Sequence, residues 1–343
     1  MSTRLAPLAV VAAVAAAVLG ASGCAGNSSF SPPSQAGAQS ASVRRPLTPP
    51  PDACSTKACI YVTDRYVNTI TVYTKGAHGN ATPIRTITGA MTGLNQPIGI
   101  ALDSSRAVHV ADFTANSVTV YAPGANGNVA PTTTIAGPNT LLNGPDFVAL
   151  DSGGKSYVVN WFGQSIEIFA AGASGNVAPV KTIAGSKTAL SEPLCLVLDA
   201  SKEIIVTSTG NNSVLVFAKS AHGNVAPIRT ISGVRTGLSG PGGLALDGSG
   251  AIYVTNYSNN SVTVYAPHAN GNVAPTRTIA GSNTGLNVPV EIAFDGSGKI
   301  YVANRDGNSV NVYAANANGN VAPLHTIAGA NTLLQSPAGM ALR

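Results

Sequence analysis

Short apolar runs of four to six residues, rich in Val, Ile, Tyr and Leu, recur from about residue 60 to the end of the chain. Each is bounded by Gly, Asn, Asp, Ser or Pro. β-branched runs of this length between turn formers predict strands, and none is long enough between turn signals to be a helix. One stretch shows the whole pattern. Gly243-Leu244-Ala245-Leu246 predicts a first strand (a) and Asp247-Gly248-Ser249-Gly250 a turn. Ile252-Tyr253-Val254-Thr255 predicts strand b, Asn256 to Asn260 a loop, and Val262-Thr263-Val264-Tyr265 strand c. A longer turn ends at Pro275, and Thr276-Arg277-Thr278-Ile279 predicts strand d.

The pattern repeats. A Gly-Asn pair recurs at Gly79, Gly127, Gly175, Gly223, Gly271 and Gly319, 48 residues apart each time, and a Pro follows four residues after each Gly. Four antiparallel strands per unit of this period describe a propeller blade. The sequence therefore predicts an all-β, six-bladed β-propeller over residues 58–343. Strand a carries a small or slim residue at Ala101, Ala149, Val197, Ala245, Ala293 and Ala341, as expected where inner strands crowd the axis. A Pro before each strand d is expected to blunt an otherwise exposed edge. The first unit opens on strand b, Ile60-Tyr61-Val62, and the chain closes on a lone strand a, Pro337 to Leu342. The C-terminal strand is thus expected to complete the N-terminal blade.

The first 57 residues have a different character. Arg4, the apolar run Leu5 to Leu19 and the small residues Ala21-Ser22-Gly23 before Cys24 predict a signal peptide over residues 1–23. Its end resembles the lipobox of bacterial lipoproteins, which implies lipidation of Cys24, export, and membrane attachment at a periplasmic or cell-surface site. Ala21 stands where that motif prefers Leu. Residues 24–57 add a Ser-, Pro- and Ala-rich tether, a coil spanning roughly 30 Å.

Charge and cysteines narrow the field. Charged residues make up 10% of the chain and the net charge is +5, with no basic run, which excludes a nucleic-acid partner by composition. Besides Cys24 there are three cysteines. Cys54 and Cys59 are close enough to form a disulfide in an oxidising compartment, leaving Cys195 unpaired.

Pro241 to Asp247, Gly250, Ile252 to Asn256 and Asn259, together with Pro97 to Asp103 and His109 to Asp112, resemble the NHL repeat, over about residues 58–342. The resemblance implies the six-bladed propeller. That family includes enzymes, sensors and binding platforms, so the resemblance does not fix function. The position where that repeat often has a basic residue holds Thr69, Ser117, Ser165, Ser213, Ser261 and Ser309, so surfaces that use that Arg are not implied.

Candidate chemistry lies where the b–c loops and the d-to-a loops share a face. The residue after strand b is Arg65, Phe113, Trp161, Thr209, Tyr257 or Arg305 around the ring, and Trp161 is the single Trp. Aromatics with Arg on a loop face are the usual composition of a binding hot spot. Trp161, Phe113, Tyr257, Arg65 and Arg305 therefore mark an expected binding face, and the chain reads as a non-enzymatic, lipid-anchored scaffold for a protein or glycan of the cell envelope. The alternative is a hydrolase. Related six-bladed lactonases of the gluconolactonase type hold a divalent cation near these places, which implies Ca²⁺ and the ligands Asp112, Asp146, Asn160 and Glu291. A streptogramin-lyase type of enzyme is a further alternative and would need a His at the channel mouth. His78, His222 and His268 fall in c–d turns, His325 in strand d and His109 within strand b. Asp103, Asp151, Asp199, Asp247 and Asp295 open the a–b turns and read as turn formers.

Overall fold

Alternation along the predicted strands sends successive side chains to opposite neighbours. Ile60 and Val62 are buried with Tyr301, Val310 and Val312, whereas Tyr61, Ile70 and Val72 are buried with Ile100, Val110 and Tyr121. A sheet apolar on both faces must pack between two others, and repeating that requirement leads around a ring. In the computed structural model, which describes Cys54 and residues 58–343, the strands form six four-stranded antiparallel sheets. The expected signal peptide, Cys24 and nearly all of the tether lie outside the described residues. Six buried clusters fill the six blade-to-blade interfaces. Each buried Val or Ile contributes about 1.5–3 kcal/mol, so these interfaces dominate the stability of the ring.

Closure follows the expected route. The last strand, Pro337–Leu342, pairs with Cys59–Asp64, which pairs with Thr69–Thr74 and then Arg85–Ile87. The register sets Ile60 opposite Leu342 and Val62 opposite Met340. Cys54 and Cys59 form a disulfide, and Cys195 is free and buried.

The outer edge is covered in a way the sequence reading did not foresee. Each c–d connection reaches the preceding blade and pairs with its strand d. Gly127 N–H donates to Thr86 O (2.6 Å), and Thr88 N–H donates to Gly127 O (3.2 Å). Asn128 Oδ1 then accepts from Met91 N–H (2.8 Å). Beneath that amide lies Gly89 at φ 119°, where an added Cβ would come within 2.5 Å of Asn128 Oδ1. The seam between the last and first blades uses the same contacts, Gly79 N–H to Thr326 O (2.6 Å) and Asn331 N–H to Asn80 Oδ1 (2.7 Å). The recurring Gly-Asn pair is thus an inter-blade latch, and the edge is paired as well as flanked by Pro.

The axis also differs from expectation. Ala101, Ala149, Val197, Ala245, Ala293 and Ala341 pack into the inter-blade clusters. The tight axial contact comes two residues earlier. A Cβ on Gly99 would lie 2.5 Å from Phe147 Cα, and one on Gly243 would lie 2.5 Å from Glu291 Cα. The ring therefore reads Gly99, Phe147, Cys195, Gly243, Glu291, Gly339 at this level. Three side chains occupy an axis too narrow for six.

Candidate active site

The first residues of strand a and the residues after strand b build a cup in two tiers. Its lower tier holds all six residues that follow the strand-a prolines, Ile98, Asp146, Leu194, Gly242, Val290 and Ala338, together with Phe147, Cys195 and Glu291. The upper tier holds Arg65, Phe113, Trp161, Tyr257 and Arg305, with Phe162 beside them. The cavity measures about 330 Å³. All five residues of the expected binding face therefore converge on one cavity, and each is half-buried. The sixth equivalent, Thr209, is buried and donates its hydroxyl to Pro241 O (2.6 Å).

The upper tier is organised by contacts among its own members. Arg65 stacks 4.8 Å from the Phe113 ring centroid and donates to Gln96 Oε1 through Nε and Nη2. Phe113 and Phe162 lie 5.3 Å apart, centroid to centroid, at 50°. Arg305 Nε donates to Asp306 (3.0 Å). Phe162, the next residue after Trp161, lines the same cavity and was not among the expected binding-face residues.

The four expected cation ligands do not come together. Asp112 Oδ1 accepts from Asn95 N–H (3.1 Å) and Oδ2 accepts from Thr119 (2.7 Å). Asn160 Oδ1 accepts from Asn143 N–H (3.0 Å). The same contact recurs at the end of every strand b, with Asp64 on Gln335, Ser208 on Ser191, Asn256 on Ser239 and Asn304 on Asn287. These residues staple each blade to its own d-to-a loop. Only Asp146 and Glu291 of the four line the cup, and among the described residues no three His, Cys, Asp or Glu side chains form a group that could hold a metal ion. The donor set does not fit Ca²⁺, which takes six to eight oxygens. The a–b turn aspartates behave as expected, with Asp247 Oδ1 accepting from Ser249 and Ala251 N–H (2.9 and 3.0 Å).

Asp146 and Glu291 are 6% and 4% exposed. Burial pushes Asp146 up to about 7, and the Arg65 charge restrains the rise. Burial pushes Glu291 well above the carboxylate range; an N–H from Ile292 opposes this and the Asp146 charge adds to it. When Asp146 ionises, its charge keeps the proton on Glu291. Two carboxyls whose surroundings separate their ionisation provide a base and an acid at one pH. Cys195 Sγ lies 4.0 Å from Glu291 Oε2, and burial raises the thiol well above its usual value, so it is not an activated nucleophile.

A β-propeller with an aromatic-rimmed cup and two buried carboxyls in its lining is the class defined by fold and site. The chain matches the sequence model of the family described as lactonase, 7-bladed beta-propeller, over residues 53–331, and it belongs to that family, here with six blades. This match overturns the reading as a non-enzymatic binding scaffold and favours the hydrolase alternative. No curated protein matches the chain. Similar solved structures include a Bacteroides caccae protein of unknown function (9% identity, TM-score 0.63, 84% of this chain and 99% of that one). Others are the periplasmic gluconolactonase PpgL of Pseudomonas aeruginosa (15%, 0.55, 84% and 86%) and a catalytically inactive variant of the virginiamycin B lyase of Staphylococcus aureus, with quinupristin (12%, 0.53, 75% and 78%). At these identities they share the fold. Among the described residues no His lines the cup.

The buried carboxyls also set a pH dependence of folding. Asp64, Asp112 and Asp146 are raised by burial to about 6, 7 and 7. A carboxyl with a raised folded pKa costs stability as pH climbs through its unfolded value, near 4, up to the folded value. Each unit is worth about 1.4 kcal/mol. His109 and His325, lowered mainly by burial, offset part of the effect, and the lowered Asp103, Asp247 and Asp295 act mostly below pH 4. The melting temperature should be higher at pH 5 than at pH 7.5 in buffers of equal ionic strength. A lower value at pH 5 would contradict the burial of ionisable carboxyls.

Proposed function

We propose that the protein hydrolyses a lactone in this cup. The observation that carries the proposal is that two buried carboxyls, Asp146 and Glu291, line one cup, with burial pushing both upward. Asp146 takes a proton from water as the water oxygen attacks the ring carbonyl carbon. The ring C–O bond breaks, and the leaving oxygen takes the Glu291 proton. The product is a hydroxy acid, and proton exchange with solvent resets the two carboxyls. Arg305 and the Tyr257 hydroxyl supply donors for the carbonyl oxygen, whose charge grows in the transition state. Family membership supports this reading. So does the fold shared with a gluconolactonase.

The proposal places the propeller outside the cytoplasm on a lipid-modified Cys24, with an NHL-like repeat as its building unit. The Cys54–Cys59 disulfide suits an oxidising compartment. The test is pH-stat hydrolysis of a lactone panel by purified protein, where no acid release above the spontaneous rate would refute it. Because the four oxygen donors do not converge, EDTA should leave the rate unchanged. Loss on chelation with recovery on added Ca²⁺ would show that a metal takes part.

A further inference from the structure

In its upper tier the cup is polar on one arc and apolar on the other, above a lower tier in which Asp146 and Glu291 are the two carboxyls. Tyr257, Glu291, Arg305 and Arg65 come from blades five, six and one. Phe113, Trp161, Phe162 and Phe147 come from blades two and three and Leu194 from blade four; Asp146, also of blade three, stands among them, and Val290 lies in blade six beside Glu291. Part of the polar surface is already engaged: Arg65 Nε and Nη2 hold Gln96, Arg305 Nε holds Asp306, and Glu291 Oε1 accepts from Ile292 N–H.

Resting on the lactonase reading, we propose that the substrate is a hydrophobic, single-ring lactone with an alkyl or aryl tail, and that sugar lactones are poor substrates. One ester group needs the base, the acid and donors for one oxygen, which Asp146 on the apolar side and Glu291, Arg305 and Tyr257 on the polar arc supply. A sugar lactone brings several further hydroxyls. Against Phe, Leu and Val walls they would lose water without gaining partners, and that desolvation is not recovered. An alkyl tail gains from the same walls. About 330 Å³ lies at the small end of ligand cavities, which suits one ring and a short tail. Phe162, 61% exposed and packed on Phe113, forms the outer part of the tail surface.

δ-Decalactone and D-glucono-δ-lactone share a six-membered ring and differ in substituents. We expect kcat/KM for δ-decalactone to be about 10²-fold higher or more, the scale at which unpaired polar groups discriminate. Phe162→Ala, at an exposed position that should not disturb folding, should reduce that preference several-fold. The single Trp161 lines the cup, so its fluorescence reports occupancy without turnover. With Asp146→Asn protein, δ-decalactone should shift the emission at concentrations where the sugar lactone does not. Equal or faster hydrolysis of the sugar lactone overturns this inference and leaves the lactonase reading intact. Binding of δ-decalactone without hydrolysis of either compound sinks the lactonase reading and keeps the hydrophobic site. Neither binding nor hydrolysis overturns both.

Discussion

Replacing Asp146 with asparagine is expected to lower kcat for lactone hydrolysis by about 10²-fold or more, the usual contribution of a positioned general base. Fold loss should not explain the result. The side chain is buried and its carboxylate form is disfavoured there, so the neutral amide should melt no lower than the parent at pH 8. A companion change tests the assignment from a different direction. Arg65 restrains the rise of the Asp146 pKa. Arg65→Met removes that cation, so the carboxyl should hold its proton to higher pH. The ascending limb of the pH–rate profile, expected near 7 in the parent from the burial of Asp146, should move upward. A full-rate Asp146→Asn enzyme, or a limb unmoved by Arg65→Met, would remove Asp146 from the role of base.

Deleting residues 337–343 should cost still more in stability. The strand brings Ala338 and Met340 into the core, and Gly339 N–H donates to Thr63 Oγ1 (2.8 Å). Its backbone also joins Cys59 through Cys59 N–H to Arg343 O (2.6 Å). Its loss leaves Ile60 and Val62 without an inner partner. Several kcal/mol are removed, and at roughly 2–4 °C per kcal/mol for a domain of this scale the melting temperature should fall by about 10 °C or more. Placing residues 337–343 ahead of residue 58 through a flexible linker should restore it. Equal melting of truncated and intact protein would mean that the final strand does not close the ring.

The blade was legible because its turns are written locally. Pro, Gly-Asn and a leading Asp mark each corner in the residues that form it, and the 48-residue spacing repeats the statement six times. The upper tier of the cup was legible for a related reason: one place in the repeat maps to one circle around the axis. The strand-b ends were not. Asp112 and Asn160 have the oxygen atoms of cation ligands, and only the approach of the d-to-a loop, which brings Asn95 and Asn143 N–H to them, shows that those atoms are engaged. The division of labour proposed for Asp146 and Glu291 was equally hidden. It arises from burial and from Arg65, 81 positions away along the chain, and neither is encoded near either carboxyl. The axial order Gly99, Phe147, Cys195, Gly243, Glu291, Gly339 was a readable signal for that lower tier, since glycine at half of the places of one repeat position marks a crowded centre.

The Gly-Asn latch has a direction: each blade gives a turn to the one before it and offers its own outer strand to the one after. Such a contact is heterologous, with unlike surfaces meeting, and it is finite only when rotation returns it to its start. Here the sixth step does so, with Gly79 and Asn80 reaching Thr326 and Asn331. A molecule sprung at that seam would carry one unsatisfied turn and one unsatisfied strand edge, complementary to those of any other sprung copy. Mild heat at high concentration should therefore convert monomers into strand-exchanged, head-to-tail oligomers before it produces amorphous precipitate.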